Sequence, residues 1–165
     1  MDPFRDRYKQ LNEWRPPGEW DQITALDMHT AGEPLRIILG GLPEIEGETI
    51  LERRAFLKEK YDYLRTGLMW EPRGHADQYG CVITPPVSDK ADFGVLFLHN
   101  EGYSTMCGHA VIAVTKAAVA AGMVPLRRPY TDIWIDTPAG PVQSRAFIRG
   151  STVESVAFRN VPSFL

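Results

Sequence analysis

The period of apolar and polar positions changes along the chain, and the changes mark out its elements. Phe93 to His99 is a continuous apolar, β-favouring run and predicts a buried strand. Val111 to Val124 is apolar again at helical spacing. There Cys107, Val111, Val114, Ala118 and Ala121 share one face, and Ala110, Ala113, Ala117 and Ala120 the opposite one. A helix apolar all round is a buried helix. Ser104 or Thr105 is placed to cap it and Gly122 to end it. Glu48 to Leu64 is amphipathic instead. Ile50, Leu51, Phe56, Leu57, Tyr61 and Leu64 fall on one side, Glu52, Arg53, Lys58 and Glu59 form a solvated face, and Gly67 is expected to stop the helix.

The remaining periodic segments are short and β-like. Gln22–Met28 and Leu35–Leu39 flank the turn-forming His29–Pro34, and Gly80–Thr84 is stopped by Pro85 and Pro86. Asp132–Asp136 and Val142–Ile148 read as a hairpin about Pro138-Ala139-Gly140, followed by Val153–Arg159. Met69 and Trp70 are expected in the core, and Glu71–His75 as a polar loop. Residues 1–20, rich in proline and charge, read as an N-terminal arm. The pattern predicts an α+β fold, mostly β, with one surface helix and one central helix. The element order is not a βαβ alternation, which disfavours a doubly wound sheet.

Composition narrows the function. The 165 residues suffice for one domain with a core, at 44% hydrophobic and 24% charged. A net charge of −3 without a basic block argues against nucleic acid as a partner. No apolar run approaches the roughly 20 residues that span a membrane, and Met1–Trp20 lacks the apolar centre of a secretion signal. Cys81 and Cys107 make no disulfide framework and no CxxC pair, so a reducing, cytoplasmic setting is expected. His29, His75, His99 and His109 lack the spacing of a zinc site, and no metal is expected.

Cys107 carries the sharpest chemical signal. In Ser104-Thr105-Met106-Cys107-Gly108-His109-Ala110 it falls in the first turn of the expected central helix. Unpaired N–H groups and the helix dipole favour negative charge there. Such a placement can lower a thiol pKa from about 8.5 into the range of about 3.5–7.5, and the same N–H groups can hold a carboxylate. The segment thus offers a base beside an anion clamp. Cys81, between Gly80 and Val82, reads as structural. His29, Glu33, Arg73 and His75 are polar residues of Gly- and Pro-containing loops that could border a site. The plainer reading makes them loop scaffolding.

The stretch Gly94–Ala110 resembles the proline racemase family, and Met28–Pro34, Glu71–His75 and Asp136–Gly140 agree with it in order and approximate spacing. Within that family, His99-Asn100-Glu101-Gly102-Tyr103-Ser104 most resembles the trans-3-hydroxy-L-proline dehydratases. The resemblance implies a two-lobed fold like diaminopimelate epimerase, each lobe a barrel-like, mostly antiparallel sheet around a central helix, with the active site between lobes. It implies Cys107 as the first-lobe base, Gly108 and His109 as the carboxylate clamp, a small imino acid as substrate and no cofactor. The family's second lobe carries an Asp-Arg-Ser-Pro-like motif with the other catalytic residue, and Met1–Leu165 contains no such motif. Residues 21–165 are therefore expected to be a first lobe only, from a truncated product, weak or inactive alone and prone to pair, as a homodimer or otherwise, through its open interface. A proline racemase or hydroxyproline 2-epimerase lobe is the alternative within the family. A non-catalytic binding module is the alternative outside it.

Overall fold

The computed structural model describes residues 2–162. Seven strands form one sheet in sequence order: β1 Thr24–Thr30, β2 Glu33–Gly40, β3 Tyr79–Thr84, β4 Phe93–His99, β5 Tyr130–Thr137, β6 Gly140–Arg149 and β7 Thr152–Arg159. Helix α1 spans Pro3–Glu13, α2 Ile50–Met69 and α3 Gly108–Ala120. The fold is α+β, and most neighbouring strands are antiparallel.

β2–β3 and β4–β5 are parallel, bridged by α2 and α3 respectively. The order thus contains two crossover units that the apolar pattern alone does not reveal. Because β4 runs against β2, the right-handed crossover rule sends the two helices to opposite faces of the sheet. Side-chain alternation records this. Ile37, Cys81, Val95 and Phe97 join the α3 cluster, whereas Ile38, Val82, Leu96 and Leu98 join the α2 cluster. β4 is covered on both sides, which is why Phe93–His99 reads as unbroken apolar sequence.

The sheet curls so that β1, β2, β6 and β7 all touch α3. Ala110, Val111, Ala113, Val114, Ala118 and Val119 are buried. Even Thr115 is enclosed, sharing a 2.8 Å hydrogen bond with the Ser144 hydroxyl. The helix ends at Ala121, and Gly122 follows at φ 73°, a left-handed conformation that glycine adopts without strain.

Helix α2 opens with a capping box: Thr49 accepts from the Glu52 N–H, and the Glu52 carboxylate accepts from the N–H groups of Glu48 and Thr49. It does not stop at Gly67. After a kink at Tyr61 it runs to Met69, which is fully buried. Trp70 departs from expectation; it is half exposed, and its indole N–H donates to the Asn100 carbonyl. Arg53 also leaves the solvated face, donating to the Gly47 and Pro85 carbonyls. The N-terminal segment contains α1, capped by Asp2 with Pro3 in its first turn, and α1 buries none of its side chains.

Thr49→Ala removes one half of the capping box and is expected to cost about 1 kcal/mol. Leu57→Ala, which empties a buried position under α2, is expected to cost about 2–5 kcal/mol. Urea denaturation of both variants measures the difference.

Candidate active site

Cys107 stands at the junction of a loop and a buried helix. β4 ends at His99, a tight turn follows in which His99 and Gly102 exchange N–H···O bonds, and four residues later Cys107 forms the N-cap of α3. It lies just outside the first turn rather than within it. Ser104 and Thr105 do not cap the helix, and the cap carries no side-chain bond to an N3 amide. Thr105 instead accepts the Ala139 N–H through its carbonyl at 3.1 Å, tying the loop to the turn between β5 and β6.

The thiol is only 7% exposed. Its pKa is pushed up to about 11, chiefly by burial. The nearby Ala110 N–H pulls it down, and the negative Glu33 pushes it up again. This overturns the expectation of a lowered pKa. A helix start contributes about 0.3–1 kcal/mol, up to ~2 in favourable sites, which does not offset the loss of water around a sulfur packed in the core. Cys81 lies fully buried in the same cluster, and its pKa is raised still further by burial.

His109 sits over the sulfur, with Nδ1 at 3.4 Å and Nε2 at 3.6 Å. Its ring meets Tyr79 edge-on at 4.8 Å, and Tyr79 in turn stacks on His99 at 5.4 Å. Thr30 donates to the His109 carbonyl at 2.9 Å, fastening the β1–β2 turn to the helix start. Gly108 packs closely under β7: a Cβ there would come 3.1 Å from the Phe158 ring, which would have to shift. The N–H groups of Gly108 and His109 have no acceptor among the described residues. They are the free donors of a helix N-terminus.

The loop residues divide. Glu33 and His75 line a cleft of about 710 Å³ with Tyr79, His99, Asn100 and Glu101, at the ends of β2, β3 and β4; Cys107 does not line it, and Tyr79 connects it to the His109 ring. His29 stays in the β1–β2 turn, where its Nδ1 accepts the Gly32 N–H. Arg73 is turned away, donating to the Gly67 carbonyl at 2.6 Å beside Tyr63 and Leu68. The Tyr79, His99 and Thr30 contacts escape a reading of the sequence; they join residues far apart in the chain, and only the register of β3 on β4 opposes Tyr79 to His99. A second cleft of about 650 Å³, at the other end of the β2–β3 pair, contains none of these groups. Among the described residues no three His, Cys, Asp or Glu side chains are placed to hold a metal. No described helix is long and apolar enough to cross a membrane.

The model of the family described as proline racemase matches residues 25–165. A trans-3-hydroxy-L-proline dehydratase from Bacillus cereus is 60% identical over 142 residues, covering 86% of this chain and 42% of that protein. A 3-hydroxyproline 2-epimerase from Burkholderia multivorans is 50% identical over 143 residues, covering 87% and 43%. The crystal structure of a hydroxyproline epimerase from Agrobacterium vitis with bound trans-4-hydroxy-L-proline superposes at a TM-score of 0.80 with 30% identity, covering 86% of this chain and 42% of that one. The chain thus spans somewhat under half the length of these relatives.

Iodoacetamide is expected to label Cys107 before the fully buried Cys81, and slowly near neutral pH. The rate should climb about tenfold per pH unit until it levels near pH 11, as thiolate supply follows the pKa. Glu33→Gln removes a charge that disfavours the thiolate and should raise the rate at pH 8. Mass spectrometry of timed samples measures all three.

Proposed function

Since the chain belongs to the proline racemase family, we propose that it is the lobe of a trans-3-hydroxy-L-proline dehydratase that supplies the α-proton base. In this reading residues 21–165 form the lobe and residues 1–20 an arm. Cys107 is the base, and the free N–H groups of Gly108 and His109 hold the substrate carboxylate. The observation that carries the proposal is the meeting of a thiol and two acceptor-free amides at the start of α3. Identity of 60% to a dehydratase of that name supports the substrate.

The chemistry follows from the acidity of the substrate. An α-proton next to a carboxylate is a very weak acid, so its removal needs a strong base and stabilisation of the enolate-like charge. Thiolate sulfur takes the proton, and the electron pair moves toward the carboxylate, where the α3 amides face it. The pair then expels the β-hydroxyl, which leaves as water after gaining a proton. The resulting enamine tautomerises to pyrroline-2-carboxylate.

A thiol pKa of about 11 makes sulfur a strong base once ionised, but only about one molecule in ten thousand is ionised at pH 7. The His109 ring at 3.4 Å is placed to accept the thiol proton. Glu33 and the cleft-lining Glu101 favour the positively charged amine of an imino acid over a simple carboxylate. His75 contributes to the cleft wall; His29 and Arg73 brace the loops around it.

A proline racemase or hydroxyproline 2-epimerase lobe is the second reading, and the 50% identity to an epimerase favours keeping it. Both reactions share the first step and separate at the group that meets the opposite face of the substrate. We place that group outside these 165 residues, consistent with the 42% coverage of the relatives. The face around Cys107 would then seat a further lobe or a second copy of the chain.

Incubation with trans-3-hydroxy-L-proline, scored as pyrroline-2-carboxylate, is expected to give turnover by the 165-residue chain at least a hundredfold below that of a full-length relative, and none with Cys107→Ser. Full activity of the chain alone would overturn the need for a further lobe. Unchanged activity in Cys107→Ser would overturn the base. Size-exclusion chromatography is expected to show self-association through the Cys107 face, and a stable monomer at high concentration would count against it.

A further inference from the structure

Among the described residues Arg65 is the one buried charged side chain of α2, at 7% exposure. Its Nε and Nη2 donate to the two oxygens of Asp62 at 2.7 and 2.8 Å. Its Nη1 donates to the carbonyls of His99 and Asn100 at 2.9 and 2.6 Å. The Trp70 and Tyr103 rings lie 6.0 and 5.7 Å from the guanidinium carbon. Trp70 adds an indole N–H to the same Asn100 carbonyl at 2.9 Å. Asn100 passes the connection on, its Nδ2 donating to the His75 carbonyl at 2.7 Å.

The target of these bonds is the turn between β4 and Cys107. Within the turn His99 and Gly102 exchange N–H···O bonds and the Glu101 N–H donates to His99 Nδ1. Asn100 Oδ1, Tyr103 OH and Ser104 Oγ are buried without a hydrogen-bond partner. Besides the Asn100 side chain, the turn is fastened to the surrounding protein by the His99 and Asn100 carbonyls, which Arg65 and Trp70 hold. His99, Asn100 and Glu101 also form one wall of the cleft that Tyr79 joins to the His109 ring.

We propose that Arg65 is a positioning residue for the Cys107 site. From behind the sheet it clamps the His99–Tyr103 turn, and through that turn it sets the station of the cleft wall and of the α3 start. It touches no reacting atom. The planar fork matters: one edge meets a carboxylate while the other spans two successive carbonyls, which the single ammonium of lysine cannot reproduce. Asp62 completes the device by fixing the fork. The inference deepens the proposed function, because it assigns a support to the same thiol.

Iodoacetamide labelling of Cys107 at pH 8 reads the station of the thiol without any turnover, so failure of the dehydratase assay leaves this test intact. Arg65→Lys, Asp62→Asn and Trp70→Phe are compared with the parent chain, each at least 20 °C below its own melting temperature. Release of the turn is expected to let water reach the sulfur and speed labelling at least threefold in Arg65→Lys and Asp62→Asn, and less in Trp70→Phe, which loses one bond. Cys81 should stay unlabelled throughout. A purely structural role would lower the melting temperature and leave the rate as it was. An unchanged rate in Arg65→Lys overturns the proposal, and if that variant does not fold, an unchanged rate in Trp70→Phe overturns it.

Discussion

Enclosing α3 on nearly every side is the constraint from which the rest of the molecule follows. A helix inside a curled sheet must be slim, so Ala110, Ala113 and Ala118 take buried positions where longer side chains would force the strands apart. The sheet can close in this way because its strands follow one another in order while two crossovers cast their helices to opposite faces. Such a helix reaches the surface along the narrow stripe of Ile112, Lys116 and Ala120 and at its ends. Its N-terminus is where unpaired amides, a thiol and an imidazole meet.

That placement sets two effects against each other at Cys107. Free amides at a helix start favour an anion, and the Ala110 N–H lowers the Cys107 pKa accordingly. The same packing that builds the helix start strips water from the sulfur, and burial wins, with Glu33 adding to it. The result is a thiol held in reserve, potent as a base but scarcely ionised. In the proposed reaction Glu33 would attract a cationic amine while opposing the thiolate, so the two demands would oppose each other.

Support for the site comes from the opposite face of the sheet. Helix α2 packs in a different hydrophobic cluster from Cys107, yet Arg65 and Trp70 hold the turn that leads to it. Arg36 does comparable work further along, pairing with Asp27 and donating to the carbonyls of Leu68 and Arg73. Carbonyls capped by buried or half-buried guanidinium groups recur around the loops of this lobe, and lysine would not serve.

The strands, the amphipathic helix and the buried helix were legible in residues 22–159 because each rests on local periodicity, as Phe93–His99 and Val111–Val119 illustrate. The length of α2 beyond Gly67 and the exposure of Trp70 were not, since a neighbouring strand and a carbonyl thirty residues away decide them. Cys107 was singled out by its chain neighbours, but Tyr79 and Thr30 join its surroundings only through strand register and sheet curvature. By itself, then, the sequence determined which segments from residue 22 onward are helix or strand, and it singled out Cys107 by its neighbours. Tertiary structure alone decided that the sulfur is a neutral thiol, because its ionisation depends on how much water the packed strands leave around it.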